Sequence, residues 1–269
     1  MQYDPIKRRL GNIFNSTPFL RKLFYRLLDL LLLRSWHIRR ELRTLKRMGF
    51  HPSHIADAGS GFGQYVFYLS KKFPHTRITG LDIKQEQVDD CNSFFSSLRQ
   101  HEKVSFEYAD LTTLEVTEAY DLILSVDVME HIENDRTVFK RFYTGLKQGG
   151  VLLISTPSDQ GGSDVHHEHE DSFIDEHVRD GYGVGEIDEK LREAGFSNIH
   201  IRYSYGKPGK ISWKLSMKYP ILLTNASKLF MLILPIYYLV VYPICYILNM
   251  VDVRKQHPTG TGLIVRCRK

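Results

Sequence analysis

Residues 55–64 read Ile-Ala-Asp-Ala-Gly-Ser-Gly-Phe-Gly-Gln, a short apolar run that breaks into glycines at alternate positions, Gly59, Gly61 and Gly63. An apolar strand that ends in such a turn and continues in helical residues from Tyr65 to Lys72 lets the backbone approach a ligand where side chains would block it. The spacing narrows the ligand. A dinucleotide fingerprint, Gly-x-Gly-x-x-Gly, counted from Gly59 needs its third glycine at position 64, and the chain has Gln64 there. An acid, Asp57, stands two residues before the first glycine. The loop therefore suits a ligand with a positively charged amino group and no pyrophosphate.

At 269 residues and 42% apolar content, the chain can bury an α/β core in one domain with residues to spare. Beyond a first strand at His54–Ala58, strand and helix patterns alternate for about 150 residues, which predicts a parallel sheet covered on both faces. Further strands are expected at 77–82, 104–109, 122–126, 151–156, 199–205 and 262–267, with helices at 64–72, 85–99, 135–146 and 186–194. The expected class is α/β, a doubly wound and mostly parallel seven-stranded sheet with an apolar helical insertion before the last strand. The division that follows is 1–50 for basic N-terminal helices, 51–206 for a ligand-binding core, 207–259 for the insertion and 260–269 for the final core strand. Cys91, Cys245 and Cys267 show neither pair nor metal-ligand spacing and read as thiols in a reducing compartment. No secretory signal is evident, because Arg21, Lys22, Arg26 and Asp29 interrupt the early apolar residues.

In an open parallel sheet the ligand sits at the carboxyl ends of the strands, and here those ends are acidic. Asp82 closes the second strand, where a carboxylate accepts hydrogen bonds from both hydroxyls of a ribose; its alternative role is a helix N-cap. Asp110 follows the third strand, placed either to take an adenine amino group or to close a turn. An amino group, a ribose and an adenine without a pyrophosphate describe S-adenosylmethionine.

Five stretches in order carry a family likeness: Asp57-Ala58-Gly59-Ser60-Gly61-Phe62-Gly63, Gly80-Leu81-Asp82-Ile83, Ala109-Asp110-Leu111, Ser125-Val126-Asp127-Val128-Met129-Glu130-His131-Ile132, and the run from Leu146 through Gly149-Gly150 to Pro157. Together they resemble the class I S-adenosylmethionine-dependent methyltransferases, over roughly Ile55 to Thr156 plus the last two strands. The resemblance implies a Rossmann-like fold with S-adenosyl-L-methionine as cofactor. It also implies cofactor contacts from Asp57, Gly59, Ser60, Gly61 and Gly63 at the methionine end, Asp82 at the ribose, Ile83, Asp110 and Leu111 around adenine, and Ser125. The Glu130-His131 pair is similar to the same segment of methyltransferases that act on polyprenyl quinone precursors. His131 either removes a proton from a phenol during transfer or, with Glu130, caps a helix and braces the loop.

A second cluster, His166-His167-Glu168-His169-Glu170-Asp171, lies in the long loop after the fifth strand. It reads as a polar loop in which His169 is a second candidate proton acceptor; no metal site is expected, since loop neighbours need not converge and no cysteine supports them.

The two ends of the chain differ from the core. Residues 1–50 hold twelve Lys and Arg against three acids. Leu20, Leu23, Phe24, Leu27 and Leu31 form an apolar stripe that either packs on the core or lies in a membrane interface. Between the last two strands, where the family usually has a short hairpin, Gly206 to Thr259 intervene. Lys207, Lys210, Lys214, Lys218 and Lys228 come first, then Leu229 to Val251 without a charge, a length of about 33 Å as a helix. Both ends must return to one soluble sheet, which argues against a crossing, and Pro220, Pro235 and Pro243 predict a break into short helices. The expectation is helices that dip into one leaflet with Tyr237, Tyr238, Tyr242 and Tyr246 at the interface, the alternative being a buried layer or an oligomer contact. Expected partners are a lipophilic small-molecule substrate and an anionic membrane surface on the cytoplasmic side, with no nucleic acid, because the basic segment is interleaved with leucine rather than stacking aromatics. Competing functions are methylation of a soluble small molecule or RNA, and a membrane-bound scaffold without activity; oligomeric state is left open.

Overall fold

The computed structural model describes residues 17–161, 178–227 and 229–269. The described residues begin with two helices, α1 (Pro18–Leu31) and α2 (Leu33–Arg47). Thr17 caps α1 by accepting the Leu20 N–H at 3.3 Å, with Pro18 pre-set for the first turn. Extended backbone at Leu32 separates the two helices. The core follows as β1 (His54–Ala58), α3 (Gln64–Lys72), β2 (Arg77–Asp82), α4 (Gln85–Ser97), β3 (Val104–Tyr108), β4 (Tyr120–Val126), a 3₁₀ turn (Met129–His131), α5 (Asp135–Gly145), β5 (Leu146–Pro157), α6 (Val184–Glu193) and β6 (Ser197–Ser204). Then come α7 (Lys207–Trp213), a π-helical turn (Lys214–Lys218), α8 (Tyr219–Ala226), α9 (Phe230–Arg254) and β7 (Gly262–Arg268).

The strands form one seven-stranded sheet in the order β3-β2-β1-β4-β5-β7-β6, with β7 antiparallel to both neighbours and the other pairs parallel. Alternate residues serve opposite faces, as a pleat requires. Ile55, Leu122, Leu124, Val151 and Leu153 pack under α1 to α4, while Ala56, Ile123, Leu152 and Ile154 pack under α5 and α6. Strand order reverses between β1 and β4, so their carboxyl ends open the crevice in which such sheets bind ligands.

The insertion is rooted at that same edge. Pro157 at the end of β5 and Ser204 at the end of β6 both pair with Gly262 at the start of β7. From there α7, the π turn and α8 run out, and α9 returns as one continuous helix of 25 residues. The expected break into short pieces is therefore wrong: Pro235 and Pro243 lie inside α9. Pro220 does not end the first arm either, and its missing N–H is compensated from the second. In the π register it would have served Leu215 O and in the α register Ser216 O; these carbonyls instead accept the hydroxyls of Tyr237 and Tyr238, each at 2.7 Å. Two of the four tyrosines expected at a lipid interface thus turn inward. Tyr246 stacks edge-on against Trp36 with ring centroids 5.0 Å apart.

The arms touch through small residues. Gly209, Ser212 and Ser216 on the first face Cys245, Asn249 and Asp252 on the second; Ser212 Oγ donates to Cys245 O at 3.3 Å and Gly209 N–H donates to Asp252 Oδ2 at 2.9 Å. Asp252 is fully buried and also pairs with His37 Nε2 at 2.9 Å and His257 Nε2 at 3.2 Å. Arg202 NH1 lies 2.7 Å from His37 Nδ1, which makes that nitrogen the acceptor and puts the His37 proton on Nε2, facing Asp252. Arg202 and Arg266 both pair with Glu41, so α2, β6, β7 and α9 share one polar junction.

Helix α1 divides its two expected roles in an unforeseen way. Its fully buried residues are Arg21 and Tyr25, and of the apolar stripe Phe24 packs beside them against Phe62. Arg21, 2% exposed, donates to Asp90 at 2.7 Å, to Phe62 O at 3.0 Å and to Tyr25 Oη at 2.8 Å, and Tyr25 Oη donates to Phe62 O. Leu23 and Leu27 remain 38% and 39% exposed on the outer side.

Candidate functional site

The glycine loop leaves β1 between β2 and β4. Gly59 and Ser60 N–H groups both donate to Leu81 O, at 2.8 and 2.9 Å, which ties the turn to the end of β2. Gly59 has φ +81°, and a Cβ there would run into a methyl of Val128. Gly63, at φ +76°, is the N-cap of α3. Backbone conformation favours glycine at both positions, and at Gly59 the space demands it as well.

Around the loop, three buried polar atoms among the described residues have no hydrogen-bond partner: Asp57 Oδ2, Ser60 Oγ and Ser125 Oγ. Ser125 is the register partner of Ala58 across β4 and β1, so the three flank one crevice. Buried polar groups are ordinarily satisfied, and unsatisfied ones at a sheet's ligand edge mark where a ligand supplies the missing contacts. Asp57 is 1% exposed, and burial, with the Asp82 carboxylate as a second cause, pushes its pKa up to about 8. A cationic amino group would relieve that cost.

Asp82 accepts the Gly61 N–H at 2.8 Å on one oxygen and the Lys84 N–H at 2.9 Å on the other, holding the loop and the start of α4 in place. Ile83 stays half exposed beside it. Asp110 closes an Asx turn by accepting the N–H and the hydroxyl of Thr112 at 2.8 and 2.7 Å, which is the turn role weighed from sequence, while Leu111 is buried behind it.

On the far side of the crevice Glu130 and His131 share the 3₁₀ turn. Glu130 is buried and accepts the Thr156 hydroxyl at 3.1 Å; burial first, then the Asp127 charge, push its pKa up to about 8. Its backbone carbonyl accepts the Val178 N–H at 3.1 Å, and Tyr182 Oη donates to Met129 O at 3.1 Å, so this turn is braced from below. His131 is half-buried on the same turn. His169 and the cluster around it lie outside the described residues, and among those described no group of His, Cys, Asp and Glu is arranged for a metal.

Arg34, Tyr65 and Tyr205, which carry no local sequence signal, complete the edge together with Asp127 of the 125–132 stretch. Arg34, at the start of α2, forms an ion pair with Asp127 just past β4. Its backbone N–H donates to Tyr205 Oη at 3.1 Å, and its guanidinium is hydrogen-bonded to Tyr65 of α3. Asp127 and Tyr205 both have positive φ, +53° each, a conformation that side chains other than glycine seldom adopt.

Comparison with known proteins bears on this geometry. Residues 56–152 match the family model described as a methyltransferase domain. A phosphoethanolamine N-methyltransferase from Zea mays is 30% identical over 146 residues, 54% of this chain but 28% of that protein. A malonyl-[acyl-carrier protein] O-methyltransferase from Bacillus cereus is 26% identical over 133 residues, 49% of this chain and 48% of that protein. Among solved structures, a phosphoethanolamine N-methyltransferase 2 from Haemonchus contortus in complex with S-adenosyl-L-methionine has a TM-score of 0.59 at 17% identity, covering 91% of this chain and 60% of that one. Residues 56–152 carry a methyltransferase domain. The chain spans under a third of the first plant relative's length. In this methyltransferase domain the unsatisfied atoms of Asp57, Ser60 and Ser125 and the glycine turn fit the cofactor's amino-acid end, with Asp82 and Ile83 at the neighbouring strand end. S-adenosylmethionine is the cofactor of the domain.

Proposed function

We propose that this chain transfers a methyl group to a lipophilic acceptor, phenolic, quinone-like or another lipid head group, at an anionic membrane surface facing the cytoplasm. The observation that carries the reading is the outer side of α9. Ile233, Ile236, Val240, Ile244, Ile247 and Val251 recur at steps of three and four and are all exposed, Ile236 and Val240 by 67% and 65%. They form an apolar ridge about 27 Å long on a helix rooted at the cofactor edge. Among the described residues α9 is also the one helix long and apolar enough to cross a membrane, with a mean hydropathy of 2.1. Its roots on adjacent strand ends favour lying in one leaflet over crossing. Leu23, Leu27 and Leu30 of α1 expose further apolar surface, and Lys22 and Arg26 beside them suit acidic head groups.

Bound at the glycine loop, S-adenosylmethionine supplies an electrophilic methyl group. The protein's part is mainly placement: Asp57 and the loop fix the amino-acid end, Asp82 holds the loop and the ribose side, and the Met129–His131 turn faces the incoming acceptor. His131 is the candidate base for an acidic hydroxyl.

A second reading, a soluble amine acceptor, draws support from the named activity of the Zea mays relative. Flotation of the full chain with phosphatidylglycerol vesicles, together with labelled methyl transfer to membrane lipid extract, separates the two. The membrane reading expects the chain to float, the Ile236→Glu/Ile244→Glu variant to stay in solution, and label in the lipid fraction. Label confined to soluble acceptors, with no flotation, would discard it.

A further inference from the structure

The acceptor edge already contains a cation of its own. Asp127 lies two residues past Ser125, the register partner of Ala58, and its neighbour Val128 is the residue that a Gly59 side chain would strike. Its carboxylate is therefore on the acceptor side of the glycine loop. It is held there in left-handed backbone geometry by its N–H, which donates to Ser155 O at 2.8 Å. A carboxylate beside two phenol rings, Tyr65 and Tyr205, is the kind of box that receives an ammonium group.

In this chain the box is filled by Arg34. The Arg34 and Asp127 side chains are 35% and 30% exposed, so the pair sits at the mouth of the crevice; the backbone beneath it is anchored, since Leu33 and Ser35 are buried and Ser35 Oγ is tied to Tyr65 Oη at 3.2 Å and to Gln64 Nε2 at 3.2 Å. The other nearby carboxyl, Glu130, is turned away into the Thr156 contact and kept largely uncharged by burial, so it offers no second seat for a cation. An arriving ammonium would have to displace a guanidinium from its ion pair or sit against it, and both outcomes cost free energy.

Resting on the methyltransferase reading of this edge, we propose that Arg34 takes the place of a substrate cation at Asp127, so that the acceptor is an uncharged or anionic oxygen nucleophile and amines are rejected. In the reaction implied, the acceptor oxygen forms the new O–C bond as the S–C bond breaks. The hydroxyl proton leaves to a base, and the products are the methylated oxygen and S-adenosylhomocysteine.

The test uses the full chain with labelled S-adenosylmethionine and phosphatidylglycerol vesicles carrying either an alkylphenol or an alkylamine of equal chain length, and in parallel soluble phenol and amine counterparts. Label should enter phenols and not amines. Calorimetry with phosphoethanolamine in the presence of S-adenosylhomocysteine should show no binding to the wild type or to Arg34→Lys. Arg34→Gln should bind at least about tenfold more tightly, and Arg34→Gln/Asp127→Asn should lose that gain. Amine methylation by the wild type at the phenol's rate, or an Arg34→Gln protein that binds the amine no better than wild type, would overturn the proposal. Turnover of the soluble phenol alone would count against the membrane reading and leave the role of Arg34 standing.

Discussion

Gly59 and Asp57 show how single positions set the chemistry of the cofactor crevice. Replacing Gly59 by alanine forces a Cβ onto Val128 at φ +81°, so the variant should lose about 1–3 kcal/mol of stability in urea titrations and bind S-adenosylmethionine more weakly. Asp57 makes a proton-linked prediction. Its folded pKa of about 8 lies above the ordinary carboxylate value, so near pH 7 the ligand-free side chain mostly holds a proton that a paired ammonium would drive off. Cofactor binding should then release about one proton per site, read by calorimetry in buffers of different ionisation enthalpy, and Asp57→Asn should abolish the release. Asp57, the three glycines and Asp82 were legible in the chain because one short loop and one strand end carry them. Arg34 was not, since its partners Tyr65, Asp127 and Tyr205 are distant in sequence and meet only when α2 is laid across the sheet edge. The turn role of Asp110 needed the Thr112 contact to decide it.

At the scale of helices, periodicity located elements well but misjudged their faces and breaks. The bounds of α3, β1 and β2 match the expected ones, as alternation and glycine punctuation allow. For α1 the pattern could not reveal that Arg21 would find Asp90, Phe62 O and the Phe94 ring, which draws one residue of the charged side into the packed face while Arg26 stays exposed. Arg21→Leu should loosen α1 from the glycine loop; chemical denaturation is expected to show a loss of about 3 kcal/mol with a higher Kd for the cofactor. The prolines of the insertion misled for a similar reason, because the hydroxyls that serve the carbonyls freed by Pro220 come from residues some twenty positions later. Tyr238→Phe leaves Ser216 O without that donor and should cost about 1 kcal/mol, measured by the shift in denaturation midpoint. Gly209→Ala would bring a Cβ to 2.6 Å from Leu33 Cδ2 and 2.7 Å from Asp252 Oδ2, prising α7 from α9, and should lower the melting temperature further than Tyr238→Phe.

Across the whole molecule, two sets of buried titrations pull stability in opposite directions. Burial lowers the His37 pKa to about 4, so the unfolded chain takes up a proton that the folded one refuses, and stability falls as pH drops from about 6.5 toward 4. Asp57 and Glu130 behave in the other sense: the folded protein keeps their protons up to about pH 8, so their contribution is lost as pH rises from about 4 to 8. Above pH 6.5 only the second set acts, and the ligand-free protein should lose stability steadily to pH 8; Asp57→Asn and Glu130→Gln should flatten that slope in urea titrations, while His37→Gln should flatten the acid limb. The sheet order carries a different consequence, one of timing. Strand β7 closes the gap between β5 and β6, yet it lies downstream of the hairpin whose two ends it secures. During synthesis the ridge of α9 emerges while the sheet is still open beside it, with β6 lacking its partner and the Asp252 junction lacking Arg266. A nascent chain at that stage has an apolar hairpin and no completed core, so the first surface the hairpin meets helps decide whether the polypeptide reaches its folded form or aggregates.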